Sequence, residues 1–530
     1  MNQLRLISSL IASLLLLFGH VFAEKILFTF FHDTGSHFQS MLPMIEKFAS
    51  HGHSVAILDT MLRKEKQKSF IQHIEAPLPI VPINEQERRE FTEIIWSMRL
   101  MYPIFAYIYH LSNKDFGTLL TNHSAQVADI VNTDWDLIVV DDIFWSFGFA
   151  LTVMRHRLWE ASGRTRKQPH FLVYGTSGVA SLTAHNSLRA TGRSWVERPQ
   201  MCAYIPTSES DAFSSDRFFH RVNNFLEILL EFVSINFIVE RFLMSNIEKF
   251  GVPKFSWFEF LSKSQLFMYE HIDRMGLPMA VGPEMINVGA RCEESKTLAK
   301  LPNEFSVFME NPSSNGTIYV AFGTHVDWKY APEHVLNALF RAFGRLNDYQ
   351  IIFACKGCAM PKNLSKNVMI VAWAPQHQVL AHPTIKAFIT HGGLKSVREG
   401  ICAGIPLIVM PVIAEQAHNA HVLLKMRIAR AVINKFYITE SNLFNTINSV
   451  LSRSYELLAR AKKVREIFLD RPIPAMDEGI FAVEHRIFDN KFGTGWARYT
   501  QRKGMLLGWT EFAYLHLFAT IFVSLIIISL

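Results

Sequence analysis

The 530-residue sequence predicts an α/β protein built from two doubly wound domains. Three observations lead there. Short apolar runs alternate with helical segments along most of the chain. The runs are apolar at nearly every position instead of every second one, as in parallel strands covered on both faces. The length also exceeds what one ordinary hydrophobic core fills.

Each element follows from its local pattern. "KILFTFF" (25–31) reads as a buried strand, "HDTGS" as a polar turn, and a helix runs from about His37 to Ser50. "SVAILDT" (54–60) completes a β-α-β unit, and "DLIVVDD" (136–142), "HFLVYGT" (170–176) and "SQLFMYEH" (264–271) are later strands. The stretch 281–302, with its Gly, Pro and charged residues, reads as a linker, which gives domains at 24–280 and 303–490. The second series is "GTIYVAFGT" (316–324), "YQIIFACK" (349–356), "NVMIVAWA" (367–374), "IKAFITHGG" (385–393) and "IPLIVMP" (405–411).

Two further stretches are strongly apolar. Residues 223–244 carry Glu227, Glu231, Glu240 and Arg241, which argues for a buried amphipathic helix, with a helix at a membrane surface as the alternative. Residues 94–109 are rich in aromatic residues and Met, a composition that packs a core or lines a site for apolar molecules.

The ends carry targeting signals. Residues 1–23 have Arg5, an apolar run from Leu6 to Phe18, and Val21 and Ala23 at cleavage-type positions, as in a secretory signal peptide. After a juxtamembrane segment (491–511), residues 512–530 contain no charge over about the length a transmembrane helix needs. Arg498, Arg502 and Lys503 precede the span and no basic residue follows it, so the signal must set an orientation with the bulk of the chain lumenal. A lipid-anchor signal, with Gly493 and Gly495 upstream, is the alternative. Asn122, Asn315 and Asn363 begin acceptor sequons that suit a lumenal glycoprotein. Of the five cysteines, Cys355 and Cys358 in "CKGC" read as a local disulfide or inert thiols in preference to a redox site.

Composition removes other classes. With 49% hydrophobic and 12% aromatic residues the chain is globular, and its net charge of +6 is dispersed instead of striped, which argues against nucleic acid as a partner. Gly-x-Gly-x-x-Gly, Walker-A, His-Glu-x-x-His and Gly-x-Ser-x-Gly patterns do not occur. Asp134-Trp-Asp136 has the carboxylate spacing of a metal-dependent transferase, although Asp136 also opens the strand that leads to Asp141.

The most informative stretch is "FITHGGLKSVREGICAGIPLIVMP" (388–411). Ligands of open α/β sheets bind beyond the carboxyl ends of strands, where His391, Gly392 and Gly393 fall. The glycines let backbone approach a ligand, and a helix starting near Leu394 directs free N–H groups at it, a setting for a diphosphate.

With "WAPQHQVLAHP" (373–383) before it and Glu399, "GIP" and "AEQAHNA" (414–420) after it, residues 371–420 resemble the donor-binding signature of the family-1 UDP-glycosyltransferases, in particular the membrane-bound UDP-glucuronosyltransferases of animals. "GSHFQSMLPMIEKFASHGHSVAIL", "GPEMINVG" and the terminal segments extend the resemblance. It implies the two-domain GT-B fold and a UDP-sugar co-substrate, with no cofactor and no metal. It further implies a small lipophilic acceptor, residence in the endoplasmic reticulum, a detoxifying conjugation reaction and a possible homo-oligomer. Glucuronate is the favoured sugar and glucose the alternative; a non-catalytic binding protein on the same scaffold is the other reading.

Position by position, the resemblance implies that Trp373 and Gln376 contact uridine and Glu399 the ribose. Thr324, His391, Gly393 and Ser396 would hold the diphosphate, and Glu415 and Gln416 the sugar hydroxyls. Lys395 stands where the family usually has Asn, and either pairs with phosphate or faces solvent; Glu415 stands where Asp is frequent. His37 matches the base, with His32 as competitor, and Asp141 its carboxylate partner, with Asp142 as alternative.

Overall fold

The computed structural model of the chain describes residues 23–32, 35–62, 70–79, 84–99, 102–176, 199, 204–272, 277, 281–292, 299–324, 326–488, 507, 509–512 and 514–529. The signal-type segment and the basic residues before the terminal apolar segment lie outside these.

Two parallel sheets organise the chain. The first contains β1 (Lys25–Thr29), β2 (Ser54–Asp59), β3 (Ile71–Glu75), β4 (Leu137–Asp141), β5 (Phe171–Gly175), β6 (Leu266–Tyr269) and β7 (Met285–Asn287), in the order β3-β2-β1-β4-β5-β6-β7. The second contains β8 (Thr317–Ala321), β9 (Gln350–Ala354), β10 (Val368–Val371), β11 (Ile385–Thr390), β12 (Leu407–Val409) and β13 (Ala429–Val432), in the order β10-β9-β8-β11-β12-β13. β1, β4, β5, β8 and β12 are almost wholly buried, which is why their sequences are continuously apolar. Helices cover both faces; Gly35–Ser50, for example, buries Phe38, Met41, Met44, Ile45 and Phe48.

Each sheet reverses its strand order once, at β1/β4 in the first and β8/β11 in the second. Those reversals create the crevices where an open sheet takes its ligands.

Three strands escape the apolar-run pattern: β3, β7 and β13, all at sheet edges. An edge strand has one open side, so β3 reads "IQHIE" with exposed polar residues, and β13 carries Arg430. The stretch 281–302 is therefore not wholly a linker, because Met285–Asn287 completes the first sheet.

The two halves are joined at several places. Cys292 is disulfide-bonded to Cys402 across 110 residues, and a second disulfide closes Cys355–Cys358 locally. Helix Ala475–Val483 returns to the first half, burying Met476, Ile480 and Val483 in its core while Asp477 pairs with Lys47 at 2.9 Å. Trp96 and Trp328 meet ring to ring with centroids 5.7 Å apart, and the Lys435 ammonium donates to the Ile95 carbonyl.

Residues Phe218–Leu243 form one long helix, its second half π-type. It is not the buried amphipathic helix its sequence suggests, since much of its apolar surface is exposed. The terminal helix runs Leu515–Ser529, exposed throughout, and is separated from the short helix Trp509–Phe512 by Tyr514 at φ 52°. The aromatic stretch after residue 101 lies in helix Tyr102–Asn122, with Tyr102, Phe105 and Tyr109 in the core. Asn122, Asn315 and Asn363 are all exposed.

Candidate functional site

The crevice of the first sheet holds His37 and Asp141. His37 is the third residue of helix Gly35–Ser50, which follows β1, and Asp141 ends β4, the strand paired with β1. His37 Nδ1 and Asp141 Oδ2 are 2.5 Å apart, and both side chains are buried. A carboxylate only accepts, so in the neutral ring Nδ1 carries the proton and Nε2 the lone pair. Asp141 is held in turn by the Phe31 N–H at 3.1 Å. Thr176, just past β5, bonds His37 Nδ1 at 3.0 Å and donates to Asp141 Oδ1 at 3.3 Å.

The two competitors are occupied elsewhere. His32 Nδ1 bonds the Thr60 hydroxyl at 3.0 Å. Asp142 accepts from the Thr176 N–H, and burial followed by the Asp141 charge pushes its pKa well up. Asp134 pairs with Arg155, and Asp136 accepts from the Lys25 N–H and pairs with Lys167.

The crevice of the second sheet is glycine-lined for a steric reason. Gly392 has φ 87°, and a Cβ there would lie 2.6 Å from Val409 Cγ1. The His391 ring packs between Gly323 and Gly393, where a Cβ would come within 2.8 and 2.5 Å of its Nε2. Only glycines leave that ring its place. Gly393 is the N-cap of helix Leu394–Ala403, whose end is capped by Gly404 in the left-handed conformation. Ser396 is buried in the first turn, and Thr324 is exposed on the turn after β8.

Around this helix start the acidic residues are ordered. Gln376 donates to Glu399 and accepts from the Tyr319 hydroxyl at 3.1 Å, while His377 lies 3.4 Å from Glu399. Burial works to raise the Glu399 pKa, but the bonds from His377 and Gln376 hold it below the ordinary value. Trp373 is 75% exposed, with a ring face open to a planar ligand. Glu415 accepts from the Leu394 N–H at 3.2 Å, so its carboxylate caps the helix start itself. Burial raises the Glu415 pKa, opposed in part by that N–H and by His37 and Lys395. Gln416 is buried, and its amide oxygen accepts from the Val412 and Ile413 N–H groups at 2.8 and 2.9 Å.

The two crevices face each other. Glu270, directly after β6, accepts from Arg398 on helix Leu394–Ala403 at 2.8 Å, from Ser40 and Tyr174 at 3.1 Å each, and from Arg291. Lys395 lies in this cluster, its ammonium nitrogen out of solvent and without a hydrogen-bond partner. Burial lowers its pKa to about 8, with Glu270 raising it and Arg398 and Arg291 opposing. Sequence reasoning missed Thr176, Glu270, Arg291 and Arg398. A charged residue at the end of the apolar run "LFMY" was the available signal for Glu270.

Two parallel-sheet crevices set face to face, one carrying a carboxylate-held histidine and the other a glycine-lined helix start, define a GT-B glycosyltransferase. Structures of the kitacinnamycin glycotransferase and of Os79 from O. sativa, in complex with U2F and trichothecene, share the fold. Their TM-scores are 0.57 and 0.55 at 14% and 13% identity; 87% of this chain is covered in each case, with 98% and 100% of the other.

A sequence profile described as UDP-glucoronosyl and UDP-glucosyl transferase matches residues 178–509, and the chain belongs to that family, which transfers sugars from UDP-sugars. Among curated relatives, UDP-glucuronosyltransferase 1A1 of Rattus norvegicus is 26% identical and that of Mus musculus 27%, each over 85% of this chain and 80% of its own length. A UDP-glucuronosyltransferase of Pleuronectes platessa is 28% identical over 54% of this chain and 59% of its own.

Proposed function

We propose that the protein is an inverting UDP-glucuronosyltransferase that conjugates small lipophilic hydroxyl compounds, lumen-facing and anchored by its terminal apolar segment. The observation that carries the reading is the His37–Asp141 pair opposite the helix start at Gly393. His37 Nε2 removes the acceptor hydroxyl proton while the oxygen attacks the anomeric carbon. The bond from that carbon to the phosphate oxygen breaks on the opposite face, and UDP leaves with the electron pair. Asp141 stabilises the imidazolium that forms.

The helix start, with His391, Gly393, Ser396 and Thr324, takes the charge on the leaving diphosphate. Trp373 stacks on uracil, Glu399 receives the ribose hydroxyls with Gln376 beside it, and Glu415 and Gln416 meet the sugar. The buried ammonium of Lys395 favours a donor that carries a further negative charge, hence glucuronate over glucose.

UDP release from microsomes carrying the protein tests this, with UDP-glucuronate and UDP-glucose supplied in turn against a phenol panel. Acceptor-dependent release with glucuronate, abolished by His37→Ala, is expected. Release with glucose alone would replace the sugar assignment, and UDP binding without release would leave a binding protein.

A further inference from the structure

The long helix Phe218–Leu243 is apolar on its outward face as well as on its inward one, where Ile228, Ile235 and Val239 are buried. In water an amphipathic helix turns its apolar stripe inward and its polar residues outward. Here Phe225, Leu229, Val233 and Phe237, four residues apart and therefore on one stripe, are 44–53% exposed. Three of its polar residues point the other way. Asn224 and Glu231 are 3% and 1% exposed, and Glu240 accepts from the Trp257 N–H at 2.9 Å. Burial raises the Glu227 pKa to about 7, with a bond from Tyr102 opposing.

We propose that this helix lies in the surface of a lipid bilayer, as a membrane contact separate from the terminal apolar helix. Hydrocarbon is the environment in which outward Phe, Leu and Val with inward Glu and Asn is the favourable arrangement. The helix does not span, because its inner face is packed on helix Tyr102–Asn122 and on Trp257, whose indole N–H donates to the Ile235 carbonyl at 3.2 Å.

Charge placement agrees with lipid. Between Phe225 and Ile238 no charged side chain is exposed, while Arg217 and Arg241 stand exposed on either side of that stretch, at the level where phosphates of a headgroup layer would lie. A second copy of the chain fits less well. The exposed apolar face, from Phe218 to Phe242, is roughly 35 Å by 10 Å, still short of the about 800 Å² per partner that a stable dimer buries. The chain also carries the fully exposed, uncharged helix Leu515–Ser529, so a nearby bilayer serves both surfaces.

A continuous run of aromatic rings leads from the inner contact of this helix to the catalytic pair. Trp257 meets Tyr109 with ring centroids 5.4 Å apart, Tyr109 meets Phe144 at 5.0 Å, Phe144 meets Phe31 at 5.7 Å, and Phe31 meets the His37 ring at 6.4 Å.

Photo-cross-linking of the full-length chain in microsomes tests the proposal without reference to activity. A p-benzoylphenylalanine is placed at Phe237 or Leu229, with Tyr455, 88% exposed on the second half, as the aqueous control. The membranes carry a labelled phospholipid. Labelled adduct at Phe237 and Leu229 but not at Tyr455 is expected. Adducts at twice the chain's mass would make the stripe a contact between copies, and lipid labelling no greater than at Tyr455 would make it water-facing; either overturns the proposal.

Discussion

Arg398 donates to Glu270 over 2.8 Å, and in doing so ties the helix at the donor-side crevice to the end of β6 in the other half. Burial would raise the Glu270 pKa, yet Arg398, Arg291 and Lys395 together draw it from 4.5 down to about 2. A carboxylate depressed in the folded state contributes stability above its unfolded value and loses it as pH falls through the folded one. Glu270→Gln is therefore expected to lower stability at pH 7 by about 3–5 kcal/mol, because it leaves buried cations uncompensated. In thermal unfolding across pH, the gap between wild type and variant should close between 4.5 and about 2.

Asp141→Asn keeps the shape of the His37 partner and removes its charge. Loss of the fixed tautomer and of imidazolium stabilisation is expected to reduce kcat about 10³- to 10⁴-fold, with the KM for UDP-sugar unchanged. Thr176→Val removes the hydroxyl's bonds to His37 Nδ1 and to the Asp141 carboxylate; a bond to a charged group contributes about 1.5–3 kcal/mol, and a reduction of about ten- to hundredfold is expected. Steady-state kinetics on the two variants give both numbers.

The same residues show what the sequence makes legible. His37, Asp141, His391 and Gly393 each follow or end a buried strand at a point where the strand order reverses, so fold periodicity and family motif indicate the same positions. Glu270 and Arg398 are 128 residues apart, and their pairing exists only once the halves meet. The missed strands β3, β7 and β13 are short edges whose half-open environment admits polar residues. For residues 223–244 apolar periodicity reports a stripe and not which way the stripe faces, so a buried helix and one at a membrane surface read alike in the sequence.

Trp373 has most of its ring in solvent and little packing to lose. Trp373→Ala is expected to weaken UDP binding by about 1–3 kcal/mol, the range for a base stacked on an aromatic ring, while the thermal midpoint stays within error. Calorimetric titration with UDP and a thermal scan of the same preparation separate the two effects.

Cys292 and Cys402 close a loop of 110 residues, fastening the segment after Arg291 to the end of helix Leu394–Ala403. A cross-link of that span restricts the unfolded chain strongly, and the double variant Cys292→Ser, Cys402→Ser is expected to lose about 2–5 kcal/mol. Thermal unfolding of the variant beside wild type with and without reductant checks this; reductant should bring wild type toward the variant and move the variant far less, since only the short Cys355–Cys358 loop is left in it to open.

Lys395 gives the donor site a pH dependence of determinate sign. Its pKa, lowered to about 8 by burial, means that the ammonium is charged below that pH and neutral above it. An anionic donor is held by the charged form, so kcat/KM for UDP-sugar is expected to fall as pH rises through 8. That ratio reports ionisations of the free enzyme. Lys395→Met should remove this alkaline limb and raise the donor KM, whereas Lys395→Arg should retain the charge and move the limb upward. The two sugars then locate the ammonium's target. Lys395→Met is expected to weaken UDP-glucuronate more than UDP-glucose and so narrow the preference between donors; equal losses would put the ammonium on the diphosphate instead.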